Sequence, residues 1–166
     1  DDLAKQLLSL PDLASDSETR LTITPYEDGY AMLLHRPLLS GNRVVGMLVA
    51  VGDLATQFRE FVAPISAGRL GSALVLDEDG TVLFSSENAQ VGTDLLKDLT
   101  GRAEASASVR RLLSEASGAG DLITYEDGKD VRMLAAWNHV PLGDQDLILV
   151  LAAPDDVVDV NLSELR

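Results

Sequence analysis

Cysteine is absent from the 166 residues, which removes disulfides, thiolate nucleophiles and cysteine-ligated metals from consideration. Aromatics are scarce: one Trp, three Tyr and three Phe leave most of the packing to Leu, Val and Ala, and a hydrophobic content of 46% is ample for a core. Cations are outnumbered, with 13 Lys and Arg against 27 Asp and Glu and a formal net charge of -14. Without clustered Lys and Arg to displace counterions, nucleic acid is excluded as a partner. No apolar run approaches the roughly 20 residues that cross a bilayer. The first residues carry no charged-then-apolar leader pattern. Beginning at Asp1-Asp2 without Met, the chain is expected to be a piece of something longer.

Catalytic signatures are missing too. There is no His-x-x-x-His pair, no Gly-x-Ser-x-Gly elbow and no P-loop, and Gly118-x-Gly120 is too short for a dinucleotide fingerprint. His35 and His139 each stand just before a proline, which suits a strand end better than a paired site. The acidic run Asp77-Glu78-Asp79-Gly80 lacks the spacing of a calcium loop and reads as a solvated turn. The expectation is no enzyme, no metal and no cofactor.

What is present is periodicity. Leu3, Leu7, Leu8 and Leu10 make one helical stripe that Pro11 stops. Three strands are expected at 21–27, 30–39 and 43–51, joined at Asp28-Gly29 and Ser40-Gly41-Asn42 by residues that accept tight turns. Asp53 offers an N-cap to a helix carrying Leu54, Phe58, Phe61, Val62 and Ile65, with Pro64 as a kink or an early end and Gly68 and Gly71 closing the connection. The segment GSALVLDEDGTVLFSS is a hairpin turning at Asp79-Gly80. Leu95, Leu96 and Leu99 mark a short helix after Thr93, and Val109, Leu112, Leu113 and Ala116 mark a second, ended by Gly118 and Gly120. Strands follow at 121–126, 130–141 and 146–153, and a last helix from about Asp155 carries Val158, Leu162 and Leu165.

A repeat organises these elements. TPYEDGY at 24–30 and ITYEDGK at 123–129 share Tyr-Glu-Asp-Gly, and each precedes an apolar strand with a proline, a turn, a wholly apolar strand and an acidic helix start. The strands at 73–76 and 147–153 are apolar at every position, as central strands covered on both faces are. The fold class is therefore α+β: a PAS-like antiparallel five-stranded sheet in the order 2-1-5-4-3 with helices on one side. It follows an incomplete three-stranded repeat. The division expected is a partial lobe over 1–66 and a complete one over 67–166. In a complete sheet the strand at 44–51 would be central, so its open edge calls for cover by the helix at 3–10, a second copy, or a missing N-terminal segment.

Three segments carry a family resemblance. LGSALVLDEDGTVLFSSENAQVGTDL at 70–95 resembles the first hairpin and helix entry of the Cache family, the extracytoplasmic PAS-like sensors of bacterial chemoreceptors, histidine kinases and diguanylate cyclases. AAWNHVPLGDQDLILVLAAPDDV at 135–157 is similar to its closing hairpin, and RPLLSGNRVVGMLVAVGDLATQF at 36–58 resembles the end of a membrane-distal lobe in double Cache receptors. The resemblance implies a periplasmic or extracellular sensor, membrane-tethered by flanking spans, homodimeric, and signalling through its terminal helix. It also implies that ligand recognition usually belongs to the distal lobe, here truncated. The chain departs from the family where many members place a Trp before the last strand, since it has Asp146 there.

Alternation on the strand at 130–141 puts Val131, Met133, Ala135, Trp137 and His139 on one face and Arg132, Leu134, Ala136 and Asn138 on the other. If Arg132 faces inward, it can clamp a small carboxylate, with Tyr125 and Ser85 or Ser86 completing the site. If Trp137 does, the pocket is aromatic and suits an apolar or amine ligand. Trp137 as core filler and Arg132 as a surface pair is the plainer alternative. The leading function is small-molecule sensing; the alternative is a cytoplasmic roadblock-like or profilin-like interaction scaffold.

Overall fold

The computed structural model describes residues 18–66, 71–86, 91–126, 129–143 and 145–155. The helices expected over 3–10 and beyond Asp155 lie outside these residues, as do Gly68 and the turn at Asp127-Gly128. Strands β1 (Arg20–Tyr26), β2 (Gly29–Ser40) and β3 (Arg43–Asp53) lead into helix α1 (Leu54–Ser66). Then come β4 (Ser72–Leu76), β5 (Val82–Ser85), α2 (Leu95–Asp98), α3 (Ala103–Ser114), β6 (Ser117–Glu126), β7 (Lys129–Leu142) and β8 (Gln145–Pro154). One sheet has the order β1-β2-β3 and the other β5-β4-β8-β7-β6. The second is the expected 2-1-5-4-3 order, every neighbouring pair antiparallel.

The meander β6-β7-β8 repeats the meander β1-β2-β3, down to the hairpins at Tyr26↔Gly29 and Glu126↔Lys129. At the first hairpin it is Glu27, not glycine, that takes a positive φ of 51°. Neither histidine marks a strand end. His35 and His139 lie inside β2 and β7, and the strands run on through Pro37 and Pro141. The reason is in the ladder: β1 begins opposite His35 and β6 begins opposite Asn138, so both prolines sit where their strand has a ladder partner on one side only. The ladder partner of Pro141 is Asp146 of β8. Its carboxylate lies 3.1 Å from His139 Nδ1, while His139 Nε2 lies 3.1 Å from the Leu112 carbonyl in the last turn of α3. A polar bridge thus joins this hairpin to α3.

Two cores sit on opposite faces of the large sheet. On the helix face, Leu74, Leu76, Val82, Ile148 and Val150 meet Val109 and Leu112 of α3 and Trp137 of β7. On the other face, Val75, Leu83, Phe84 and Leu147 meet Leu54 and Phe58 of α1 together with Ile23, Tyr30 and Met32 of the small sheet. The Phe58 and Phe84 rings lie 5.9 Å apart, tilted by 31°. Phe61, expected on the same stripe, is 75% exposed. Helix α1 continues through Pro64 to Ser66, so that proline costs one hydrogen bond near the end without stopping the helix. This second core covers only part of the outer face: Leu134, Leu149 and Leu151 remain exposed, which corrects the reading of 147–153 as apolar because covered on both sides. In the small sheet β3 pairs with β2 alone, and among the described residues no strand joins its outer edge.

Gly118 and Gly120 were expected to end α3. They lie instead inside β6, which starts at Ser117. A Cβ on Gly118 would meet the Trp137 ring at 2.5 Å, and one on Gly120 would meet Arg111 Nη1 at 2.9 Å. The glycines make room for the Trp137 ring and the Arg111 guanidinium, which lies 5.4 Å from that ring's centroid.

Two predictions follow from these contacts. Asp53 caps α1, its carboxylate accepting from the Thr56 hydroxyl and, at 2.8 Å, from the Thr56 N–H. These bonds, the hydroxyl's first, hold the Asp53 carboxyl below the usual aspartate range; Lys97, by its ammonium and its N–H, does the same for Asp94, the N-cap of α2. A lowered folded value means that the stabilisation is present above the ordinary aspartate range and is lost as pH falls through the lowered one. Asp53→Ala should cost about 1 kcal/mol at neutral pH in a urea titration, and the gap to the parent should close toward acid. Gly118→Ala should cost about 1–3 kcal/mol and shift the emission of the lone Trp, because the ring must move; unchanged emission and stability would contradict the close approach.

Candidate functional site

The helix-face core is not closed everywhere. Between β4, β6, α2 and α3 lies a cavity of about 120 Å³, walled by Leu74, Leu95, Leu99, Val109 and Leu122. Buried Ile123, Thr124 and the exposed Asp98 and Tyr125 complete its lining. Its walls are fixed by capping and by side-chain bonds between helix and sheet. Asp94 Oδ1 accepts from the backbone N–H groups of Leu96 and Lys97, both at 3.1 Å, which starts α2 with Leu95 and Leu99 turned to the sheet. Ser106 Oγ donates to the Leu99 carbonyl at 3.0 Å, tying α2 to α3. Ser108 Oγ accepts from Ile123 N at 3.2 Å, tying α3 to β6.

The mouth is polar. Tyr125 is 41% exposed, and the Arg102 guanidinium stacks 3.1 Å from the centroid of its ring. Arg102 Nη1 also donates to Asp130 at 2.9 Å, so its charge is engaged. Among the described residues Thr124 Oγ1 has long contacts, 3.5 Å to the Val131 carbonyl and 3.9 Å to Met133 Sδ. Its hydroxyl is the polar group with most capacity for a guest.

Of the residues expected to form a site, Tyr125 alone lines this cavity. The inward face of β7 is the one with Met133, Ala135 and Trp137, all buried. Trp137 is nonetheless a core residue and does not line this cavity: its Nε1 donates to the Glu115 carbonyl at 3.1 Å. The Arg132 side chain is 56% exposed, 3.3 Å from Asp121 and 3.9 Å from Glu104. Ser85 is buried in β5 opposite Leu74, and Ser86 Oγ accepts from Ala73 N at 3.0 Å, closing the hairpin. Neither the Arg132 constellation nor an aromatic Trp137 pocket assembles. Sequence reasoning missed the cavity walls and Arg102. The helical spacing of Leu95 and Leu99 says that they face the sheet, but no residue type announces that the packing beneath leaves a gap.

No family model matches the sequence, and no curated protein matches it. Solved structures do. The periplasmic sensory domain of the Campylobacter jejuni chemoreceptor Tlp1 superposes with a TM-score of 0.68 at 19% identity, over 93% of this chain and 58% of that one. The ligand-binding domain of the Pseudomonas aeruginosa amino acid chemoreceptor PctB, in complex with L-Arg, gives 0.64 at 19% identity, over 90% and 55%. That of the Pseudomonas fluorescens chemoreceptor CtaA, in complex with L-alanine, gives 0.57 at 19% identity, over 87% and 58%. The chain thus spans little more than half the length of these domains. Over that span its fold is the one these three sensory and ligand-binding domains have.

Proposed function

We propose that the chain is the ligand-sensing segment of a bacterial transmembrane receptor, a chemoreceptor, histidine kinase or diguanylate cyclase, and that it works on the periplasmic or extracellular side. The observation that carries this is the cavity between the five-stranded sheet and the helices that cross it, in a fold shared with receptor sensory domains. In this reading residues 1–66 are a partial distal unit and 67–166 the proximal one, tethered by spans outside the chain and paired with a second copy. The role is recognition rather than catalysis.

The cavity limits the guest. At about 120 Å³ it offers roughly four times the volume share of a water molecule, room for a guest of alanine size or smaller. Arginine exceeds it. A simple carboxylate is poorly served, because Asp98 stands at the rim and Arg132 is held elsewhere. A small molecule with an apolar body and one donor group, an amine or a hydroxyl, meets Leu74, Leu99 and Val109 with its body and Thr124 or Asp98 with its donor.

Signalling then needs a guest that binds two arrangements of α2 and α3 unequally, since only differential affinity shifts a population. The helices roof the cavity, α3 packed on the sheet by Val109 and Leu112 and tied to it by Ser108, so they are the elements a guest touches.

The test is thermal unfolding of the chain against a panel of small amino acids, short amines, alcohols and carboxylates. A ligand at about a hundred times its Kd should add about 2.7 kcal/mol and raise Tm by several degrees. Val109→Phe, which fills the cavity, should abolish that shift, and Thr124→Val, which keeps the shape, should reduce it. A panel without a hit, or a hit indifferent to both substitutions, would remove the cavity from sensing.

A further inference from the structure

Strand β3 closes the small sheet with one edge bare. It pairs with β2, and among the described residues no strand joins its other side, so a row of N–H and C=O groups there has no ladder partner. Sheets blunt such an edge by keeping it short or by placing Pro or charge along it. This edge is 11 residues long, Arg43–Asp53, without Pro and without charge between its two ends. Val45 is an extra residue that shifts the register between Leu38 and Leu39, and from Gly46 to Asp53 the ladder with β2 runs regularly.

The apolar side chains of the edge stand in water. Val45 is 62% exposed, Leu48 64% and Val51 49%. The face widens onto β2, where Leu34 and Leu38, opposite Ala50 and Gly46, are exposed as well.

What fits this edge is written in the strand itself. Laid antiparallel to a second copy with Leu48 on the two-fold axis, β3 is self-complementary. Leu48 then meets Leu48, and on the same face Gly46 of each copy stands opposite Ala50 of the other, small residues that leave room for the two leucines. On the other face Met47 meets Val49. At both ends Arg43 of one copy comes to Asp53 of the other, and these are the two charges of the strand. Neighbouring registers lose that match: centred on Met47, Arg43 faces Val51, and centred on Val49, Asp53 faces Val45. Parallel strands set Arg43 against Arg43. We propose that β3 pairs edge to edge with β3 of a second copy in the register centred on Leu48, joining the two small sheets into one continuous sheet. This gives a surface to the pairing named under the proposed function and rests on that reading, but it is independent of what the cavity binds.

The experiment is sedimentation equilibrium of the chain from micromolar to submillimolar concentration, with hydrogen exchange of the β3 amides. A monomer–dimer equilibrium is expected, with those amides gaining protection as the dimer fills. Leu48→Lys sets two ammonium groups against each other on the axis and should weaken association by about tenfold or more. Arg43→Glu sets a carboxylate against Asp53 at both ends and should weaken it by about tenfold; it keeps the test open if the first variant fails to fold. Arg110→Glu makes the same change of charge on an exposed position of α3, on the helix face of the large sheet, and should leave association unchanged. A dimer indifferent to both edge variants would overturn this interface while leaving the pairing itself standing. A monomer at every concentration would overturn both, and edge amides protected in that monomer would assign the cover to a segment of the same chain. Neither result touches the thermal shift by which the cavity's guest is read.

Discussion

Strand β4 has no solvent face, and much of the architecture depends on that. Leu74 and Leu76 enter the core under α3, while Val75, between them, enters the core shared with α1 and the small sheet. Each such side chain stabilises by roughly 1.5–3 kcal/mol when fully buried, so neither core tolerates displacement of the strand. The cavity inherits the same constraint, since Leu74 lines it. Packed interiors move between discrete arrangements rather than bending smoothly.

Much of this was legible in the sequence because strands and turns write themselves in local chemistry. The doubled Tyr-Glu-Asp-Gly predicts two equivalent hairpins, Asp79-Gly80 predicts another, and Asp53 predicts a cap; all are found where expected. The order of the large sheet followed from asking which strands are apolar at every position. Apolarity at every position fixes the order of the strands but not their cover. Leu149 and Leu151 are apolar on a central strand, yet 36% and 42% exposed, because the small sheet and α1 reach only the β4–β5 side.

The parts that could not be read are those where one residue type serves two purposes. Glycine near a helix end looks like a terminator, and Gly118 and Gly120 have that spacing; their actual task is to leave space for side chains that come from β7 and α3, Trp137 and Arg111. Alternation on β7 separated Arg132 from Trp137 but could not say which face is inward. The deciding partners, Glu115 for the indole and Asp121 for the guanidinium, are 22 and 11 residues away along the chain and close only in the fold. A cavity is harder still, since it is a deficit shared among Leu74, Leu99, Val109 and Leu122 and belongs to none of them.

The large negative charge acquires a physical role once the surface is known. The small sheet exposes Leu34, Leu38, Leu39, Val45, Leu48 and Val51, and the large sheet adds Leu134, Leu149 and Leu151 beside a shallow groove of about 230 Å³ with almost no polar lining. Apolar faces next to an unpaired strand edge ordinarily favour association between copies. A net charge of -14 opposes that association at long range, where the apolar contacts are not yet made. Repulsion falls with added salt over about 10 Å at 0.1 M, whereas hydrophobic contact does not. The balance between the two, rather than either alone, sets whether this surface stays open, and it ties the acidity of the chain to its exposed sheets.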